Sequence, residues 1–167
     1  MDKGAVLSHP GETALRKVDN SHMTAWEEKS NMEERSGAMT YRGVVYAWYL
    51  DHMGHMNVQY YVHLFDQATW VLFDQAGLST AYFLESGTGM AALEQHLSYK
   101  REVFAGTVVT IDSQVLAVTE KTVRFIHTMR DNEGVVASSE ILGTHFDRTA
   151  HRSTPFPPAA RARFQEM

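Results

Sequence analysis

Asp51-His52-Met53-Gly54-His55-Met56-Asn57 is the stretch on which the fold turns. It stands between a strand-like run, Tyr41 to Leu50, and a segment from Val58 to Ala76 with apolar residues at 58, 61, 62, 65, 72 and 76 and Thr69 in the same row. That spacing predicts an amphipathic helix of about five turns. Asn57 is a good N-cap, and Gly77 suits the left-handed residue just past a helix end. Tyr60, Leu64, Trp70, Val71 and Phe73 make the segment apolar off its main stripe too, which predicts burial nearly all round. The heptapeptide is then a polar loop that delivers Asp, His and Asn to the positive end of one long helix.

Outward from that helix, Leu78 to Thr88 reads as a loop. Ala91 to Phe104 alternates, with Ala91, Leu93, Leu97 and Tyr99 on one face and Glu94, His96, Ser98 and Lys100 on the other. Thr107 to Val118, Thr122 to Arg130 and Val135 to Asp147 are three further strands, and Asp131-Asn132-Glu133-Gly134 is a hairpin turn. Strand, long helix and four strands joined mostly by hairpins predict an α+β fold with an antiparallel sheet, one face of which must be covered. The helix is the only element large enough to cover it. The compact domain is expected over residues 41–150. Residues 1–40 read as a polar N-terminal extension with a helix from Met23 to Arg35. Pro155, Pro157 and Pro158 mark residues 151–167 as a Pro-containing C-terminal tail.

Composition narrows the function classes. The chain has 167 residues, enough for one domain with a substantial core. It has no cysteine, so disulfides, thiolate metal sites and a Cys nucleophile are excluded. No apolar run approaches ~18 residues and the N-terminus lacks an apolar signal core, so the expectation is a cytoplasmic protein without a membrane partner. Net charge is −5, and residues 41–150 hold 12 of the 20 acidic groups against 7 of the 15 basic ones. That balance speaks against a nucleic-acid surface. His52 and His55 have no third ligand at a sensible spacing, so no metal site is expected.

The layout resembles the hot-dog fold, in which a sheet curls around one helix. Asp51-x-x-Gly54-His55-x-Asn57-x-x-Tyr60-Tyr61 is similar to the signature of the 4-hydroxybenzoyl-CoA thioesterase family. Phe65-Asp66-Gln67-Ala68 is similar to the acidic position that this family carries later on the helix. Leu97-Ser98-Tyr99 and Phe104-Ala105-Gly106 resemble its Tyr-ended strand and the Gly before the next one, and Asp147 and Pro157 sit where it ends its last strand. The resemblance covers roughly residues 41–158. It implies an acyl-CoA thioesterase, a homodimer or homotetramer, with Asp51 as general base or as attacking carboxylate. Coenzyme A would be part of the substrate, and no cofactor is implied.

A thioester needs a polarised carbonyl, an activated water or nucleophile, and a seat for its acyl group. Backbone N–H groups from Gly54 to Asn57, at the positive end of the helix, are the expected oxyanion donors. Asp51 has a plainer reading, as a loop carboxylate that only bonds the helix start. His55 reads as a supporting residue and Asn57 as the N-cap, with orientation of Asp51 or of water as its second reading. For Asp66 the resemblance implies a working carboxylate on the central helix of a neighbouring subunit, as in some hot-dog thioesterases, and its plainer reading is a buried, paired carboxylate that fixes the helix. Glu94 and His96 share a strand face and could reach a site across a dimer. Lys100 and Arg101 at one strand end, with Lys121 and Arg124 near the next hairpin, are the basic candidates for the CoA phosphates. Trp48, Tyr49, Tyr60, Tyr61 and Trp70 are expected to crowd the helix start, where they could shape an acyl pocket or cage a cationic acyl group. Two other readings fit the same fold. One is an enoyl-acyl hydratase or dehydratase, which the four-residue spacing of Asp51 and His55 disfavours. The other is a non-catalytic module that binds acyl-CoA.

Overall fold

The computed structural model describes residues 37–167; the helix expected from Met23 to Arg35 lies outside them. Strand β1 runs Ala38–Val44, and a single 3-10 turn, Ala47–Tyr49, leads into the loop before the central helix. The strand expected from Tyr41 to Leu50 thus starts three residues earlier and stops at Val44. Helix α1 is Val58–Gln75, with the Asn57 side chain accepting from the Gln59 N–H and Gly77 at φ 86° past its end. A short second helix, α2, Thr80–Ser86, occupies most of the expected loop. Ser79 caps it and Gly87 ends it at φ 66°, so both termini carry the residues a helix uses there.

Four long strands follow: β2, Thr88–Tyr99; β3, Val108–Val118; β4, Thr122–Asp131; and β5, Gly134–Asp147. With β1 they form one antiparallel sheet in the order β1-β3-β4-β5-β2. A two-residue strand β6, Arg152–Ser153, pairs with the end of β5. The expected hairpin turn holds: the Asp131 carboxylate accepts from the Glu133 and Gly134 N–H groups.

The alternation expected along β2 is broken by a bulge. Ala92 pairs with Gly143 and Glu94 with Leu142, which leaves Leu93 without a partner residue. Residues opposite one another share a face. The face toward α1 is therefore Met90, Ala92, Gln95, Leu97 and Tyr99, opposite His145, Gly143, Ile141, Ser139 and Ala137. Ala91 and Leu93 leave the helix-facing set because one inserted residue reverses the phase of the strand. Glu94 and His96 lie on the outer face, where Glu94 pairs with Arg124 at 3.2 Å.

The core has two parts. Around the first half of α1, Tyr61, Leu64, Phe65 and Ala68 pack with Val109, Ile111 and Met129. Around its second half, Leu72, Phe73 and Ala76 pack with Phe125, Phe156 and Phe164. Phe164 belongs to a third helix, α3, Pro158–Glu166, which corrects the reading of residues 151–167 as a tail. Pro157 and Pro158 occupy the cap and first helical positions, where a missing N–H costs nothing, so here they start a helix. The sheet covers only one side of α1. Val58, Val62, Asp66 and Trp70, each four residues apart, form an exposed ridge along the other side, with Val58 59% and Trp70 49% exposed. Burial all round, the expectation from the apolar pattern of the helix, does not occur among the described residues.

Candidate active site

The loop before α1 is a tight turn. Gly54 donates to the Asp51 carbonyl at 3.0 Å, and the Asp51 N–H donates back to the His55 carbonyl at 3.0 Å. Gly54 sits at φ 85°, a left-handed conformation that an L side chain rarely adopts. Within the turn, Asp51 Oδ1 accepts from the Met53 N–H at 2.8 Å. Its other oxygen lies 4.0 Å from His55 Nδ1, and its side chain keeps 20% of its surface exposed. His55 Nε2 is 3.7 Å from Glu102, an acid the sequence reading did not single out because it lies 47 residues downstream in a loop. His55 therefore bridges two carboxylates at the mouth of the helix.

The backbone donors fall differently from expectation. Gly54 donates to Asp51, Met56 to the Val103 carbonyl and Asn57 to the Tyr49 carbonyl. Those three N–H groups hold the loop in place. Among the described residues, the N–H groups of His52, His55 and Val58 in this segment make no hydrogen bond, and of these His55 and Val58 line the hollow beside the helix start. Val58 is the first residue of α1, where the helix dipole adds to its N–H. A carbonyl oxygen placed there would meet an unengaged donor at the positive end of 18 aligned peptide units.

A hollow of about 250 Å³ opens beside this helix start, lined by His55, Val58, Tyr61, Tyr99, Lys100 and Glu102 among others. The Tyr61 hydroxyl points to the Arg101 carbonyl at 3.5 Å, and burial with help from Tyr99 and Glu102 pushes its pKa up to about 12. Tyr61 thus stays a neutral wall. Tyr60 faces the opposite way and stacks on Tyr49 at 4.3 Å. Tyr46 and Trp48, stacked at 4.4 Å, complete that aromatic group. Trp70 is not part of it, since it lies 12 residues along α1.

The basic candidates separate. Lys100 and Arg101 both line the hollow, and Lys100 makes no ion pair among the described residues. Arg101 is held by Asp131 at 2.6 Å and by Glu133 at 2.8 Å, so it fastens the β4–β5 hairpin. Lys121 lies at the other end of the sheet, its carbonyl accepting from the His145 N–H.

Asp66 is exposed and, among the described residues, unpaired. It lines a second groove, of about 150 Å³, between the outer ridge of α1 and β2. Thr69, on the same groove, is tied inward. Its hydroxyl meets His127 Nε2 at 2.8 Å, His127 Nδ1 meets Ser113 at 2.5 Å, and Ser113 meets Thr40 at 2.5 Å. Burial drives the His127 pKa down to about 3, so the ring is neutral and serves as a two-ended connector. This hydrogen-bonded relay leaves no local sequence signature, because its members come from four elements. Among the described residues, no three His, Asp or Glu side chains gather in a metal-binding group, and no helix is long and apolar enough to cross a membrane.

Comparison with known proteins agrees with this architecture. The family model of the thioesterase-like superfamily matches residues 44–164. A betainyl-CoA thioesterase of Pseudomonas aeruginosa is 28% identical over 130 residues, 77% of this chain and 82% of its own length. An L-carnitine dehydrogenase/betainyl-CoA thioesterase of Agrobacterium fabrum is 30% identical over 112 residues, 66% of this chain. The matched part is 23% of that longer protein. A Staphylococcus aureus protein solved in complex with CoA superposes with a TM-score of 0.74 over 79% of this chain and 85% of its own, at 19% identity, which speaks to the fold alone. A sheet curled around a central helix, with the family model covering most of it, places the chain in the thioesterase-like superfamily of hot-dog proteins.

Proposed function

We propose that the protein is an acyl-CoA thioesterase that works as a homodimer, and that its acyl group is a small quaternary-ammonium acid of the betainyl type. The observation that carries the thioesterase reading is the unengaged Val58 N–H at the start of α1, in the same loop as the Asp51 carboxylate. The thioester carbonyl accepts from Val58, and the helix dipole stabilises the oxyanion as it develops. Asp51 takes a proton from the attacking water or attacks the carbonyl itself, and the CoA thiolate leaves. Both routes need the carboxylate, and neither needs a metal or redox group. Of the two cations at the hollow beside the helix start, Lys100 and Arg101, Lys100 has no ion pair among the described residues and is the one offered to a CoA phosphate.

The dimer rests on two bare surfaces. Strand β2 is an edge of the sheet, exposed from Ala92 to His96, and the outer ridge of α1 runs beside it. The Met90–Gln95 end of β2 borders the Val62–Phe73 part of α1, while Tyr99 borders its start. Two-fold pairing of β2 edges about their exposed middle lays the helix start of one copy against the groove of the other. The acyl class is supported by the names of the two curated relatives. The acidic balance of residues 41–150 favours a cation as well.

The test is free-thiol release from short, long, branched, aromatic and quaternary-ammonium acyl-CoAs, with wild type beside Asp51→Asn. Wild type is expected to release thiol, most from the quaternary-ammonium ester, and folded Asp51→Asn to lose most turnover. Wild-type-like turnover by that variant would overturn the site. Binding with no release from any ester would make the chain an acyl-CoA-binding module or a hydratase instead.

A further inference from the structure

We propose that Asp66 and Trp70 form a seat for the quaternary ammonium of the acyl group, so that Asp66 is a specificity residue and not a second catalytic carboxylate. The inference rests on the thioesterase reading above and deepens it. Asp66 and Trp70 are one turn apart on the ridge of α1, so their side chains share one face. Both line the groove against β2, and among the described residues Asp66 is its only charged side chain. Its carboxylate makes no hydrogen bond or ion pair among the described residues. Trp70 makes edge-type contacts with Phe73 at 6.0 Å and with Phe83 at 6.1 Å, which hold the indole in place while it stays half exposed.

The other polar groups of the groove face away from a donor role. The Gln95 amide nitrogen donates to Ser139 at 3.2 Å, and the Thr69 hydroxyl is taken up by Phe65 and His127. The remaining walls include Val62, Phe73, Met90 and Ile141. A quaternary ammonium suits such walls, since it has a positive charge, an apolar methyl surface and no hydrogen to donate. One carboxylate answers the charge, one indole face answers charge and methyls together, and aliphatic walls complete the contact.

Distance decides which copy supplies the seat. Val58 and Asp66 are eight residues apart, about 12 Å along a helix. In a betainyl thioester the nitrogen lies two bonds from the carbonyl carbon, a reach of roughly 3 Å at ordinary bond lengths. One chain therefore cannot hold the carbonyl at Val58 and the cation at Asp66. The two-fold pairing through β2 can, because it sets the helix start of one copy against the groove of the other. The seat thus completes the site across the dimer.

The experiment compares betainyl-CoA with tert-butylacetyl-CoA, its uncharged isostere with carbon in place of nitrogen. The ratio of kcat/KM for the two esters is measured in wild type, Asp66→Asn, Trp70→Leu and Trp70→Phe. Wild type is expected to favour the cation by about a hundredfold or more, Asp66→Asn to cut that ratio by about 10- to 100-fold, and Trp70→Leu by about 5- to 10-fold, mainly through KM. Trp70→Phe should restore most of the Trp70→Leu loss. Equal losses on both esters in Asp66→Asn would make Asp66 catalytic and overturn the proposal, as would an unchanged ratio. If wild type hydrolyses other acyl-CoAs but not betainyl-CoA, the seat is wrong and the thioesterase reading stands. If no ester is hydrolysed, the thioesterase reading has failed, and calorimetric affinities of the two intact esters decide the seat: equal affinities overturn it, and a preference for the cation that Asp66→Asn removes supports it.

Discussion

Val58 is the residue whose backbone matters more than its side chain. It occupies the first helical position, and its N–H has no partner among the described residues. Proline at that position keeps a helix, because its fixed φ suits the first turn and the N–H it removes bonds nothing inside the helix. The preceding residue fits as well: Asn57 lies at φ −66° and ψ 143°, the extended region that a following proline demands. Val58→Pro should therefore fold normally and deliver no oxyanion donor. We expect kcat to fall by about 10²- to 10³-fold, the usual cost of losing one such donor. Far-ultraviolet circular dichroism and steady-state thiol release check the two halves of this statement. Unchanged kcat in a folded Val58→Pro would move the oxyanion to the His55 N–H, an unengaged donor of the loop whose residue also lines the hollow.

At the scale of elements, α1 is held to the sheet by apolar packing and by one polar thread, Thr69–His127–Ser113–Thr40. The thread links α1 to β4, β3 and β1, and it needs a neutral ring. The His127 pKa is about 3 when folded, against about 6.5 unfolded. Below pH 6.5 the unfolded chain binds a proton that the folded chain refuses, so this group's effect on stability is absent above that pH and turns unfavourable as pH falls toward 3. The slope is about 1.4 kcal/mol per pH unit for one such proton. Urea unfolding at several pH values should show that slope in wild type and a shallower one, by about one proton, in a folded His127→Gln. None of this thread was legible in the sequence, since Thr40, Thr69, Ser113 and His127 look like ordinary strand and helix residues until the sheet is closed. The central helix was legible, because Asn57, Gly77 and the apolar spacing mark it locally. So was the hairpin at Asp131–Gly134, where the turn chemistry is local too. The bulge at Leu93 was not, because one extra residue in a strand leaves no periodic trace. Helix α3 was hidden behind Pro157 and Pro158, which mark a stop in one context and a first turn in another.

For the whole molecule, the outer ridge of α1 is the feature that a single chain leaves unexplained. The apolar pattern of α1 predicted burial on nearly every side, and one sheet supplies burial on one side only. Val58, Val62 and Trp70 stay exposed beside an edge strand whose middle is also exposed. A second copy joined through β2 would cover both at once, and it would bring each helix start to the other copy's groove. Val62 sits on that ridge, and in one chain a charge there would face solvent at little cost. Between two copies the same charge would be buried without a partner, close to Asp66 and of the same sign. Val62→Glu should therefore keep its fold, elute as a monomer where wild type elutes as a dimer, and lose nearly all thiol release. Size-exclusion chromatography with light scattering, run beside the activity assay, reads both effects. A monomeric Val62→Glu with full activity would mean that one chain holds a complete site. That result would remove the dimer from the mechanism and return the acyl group to the hollow beside Tyr61 and Tyr99.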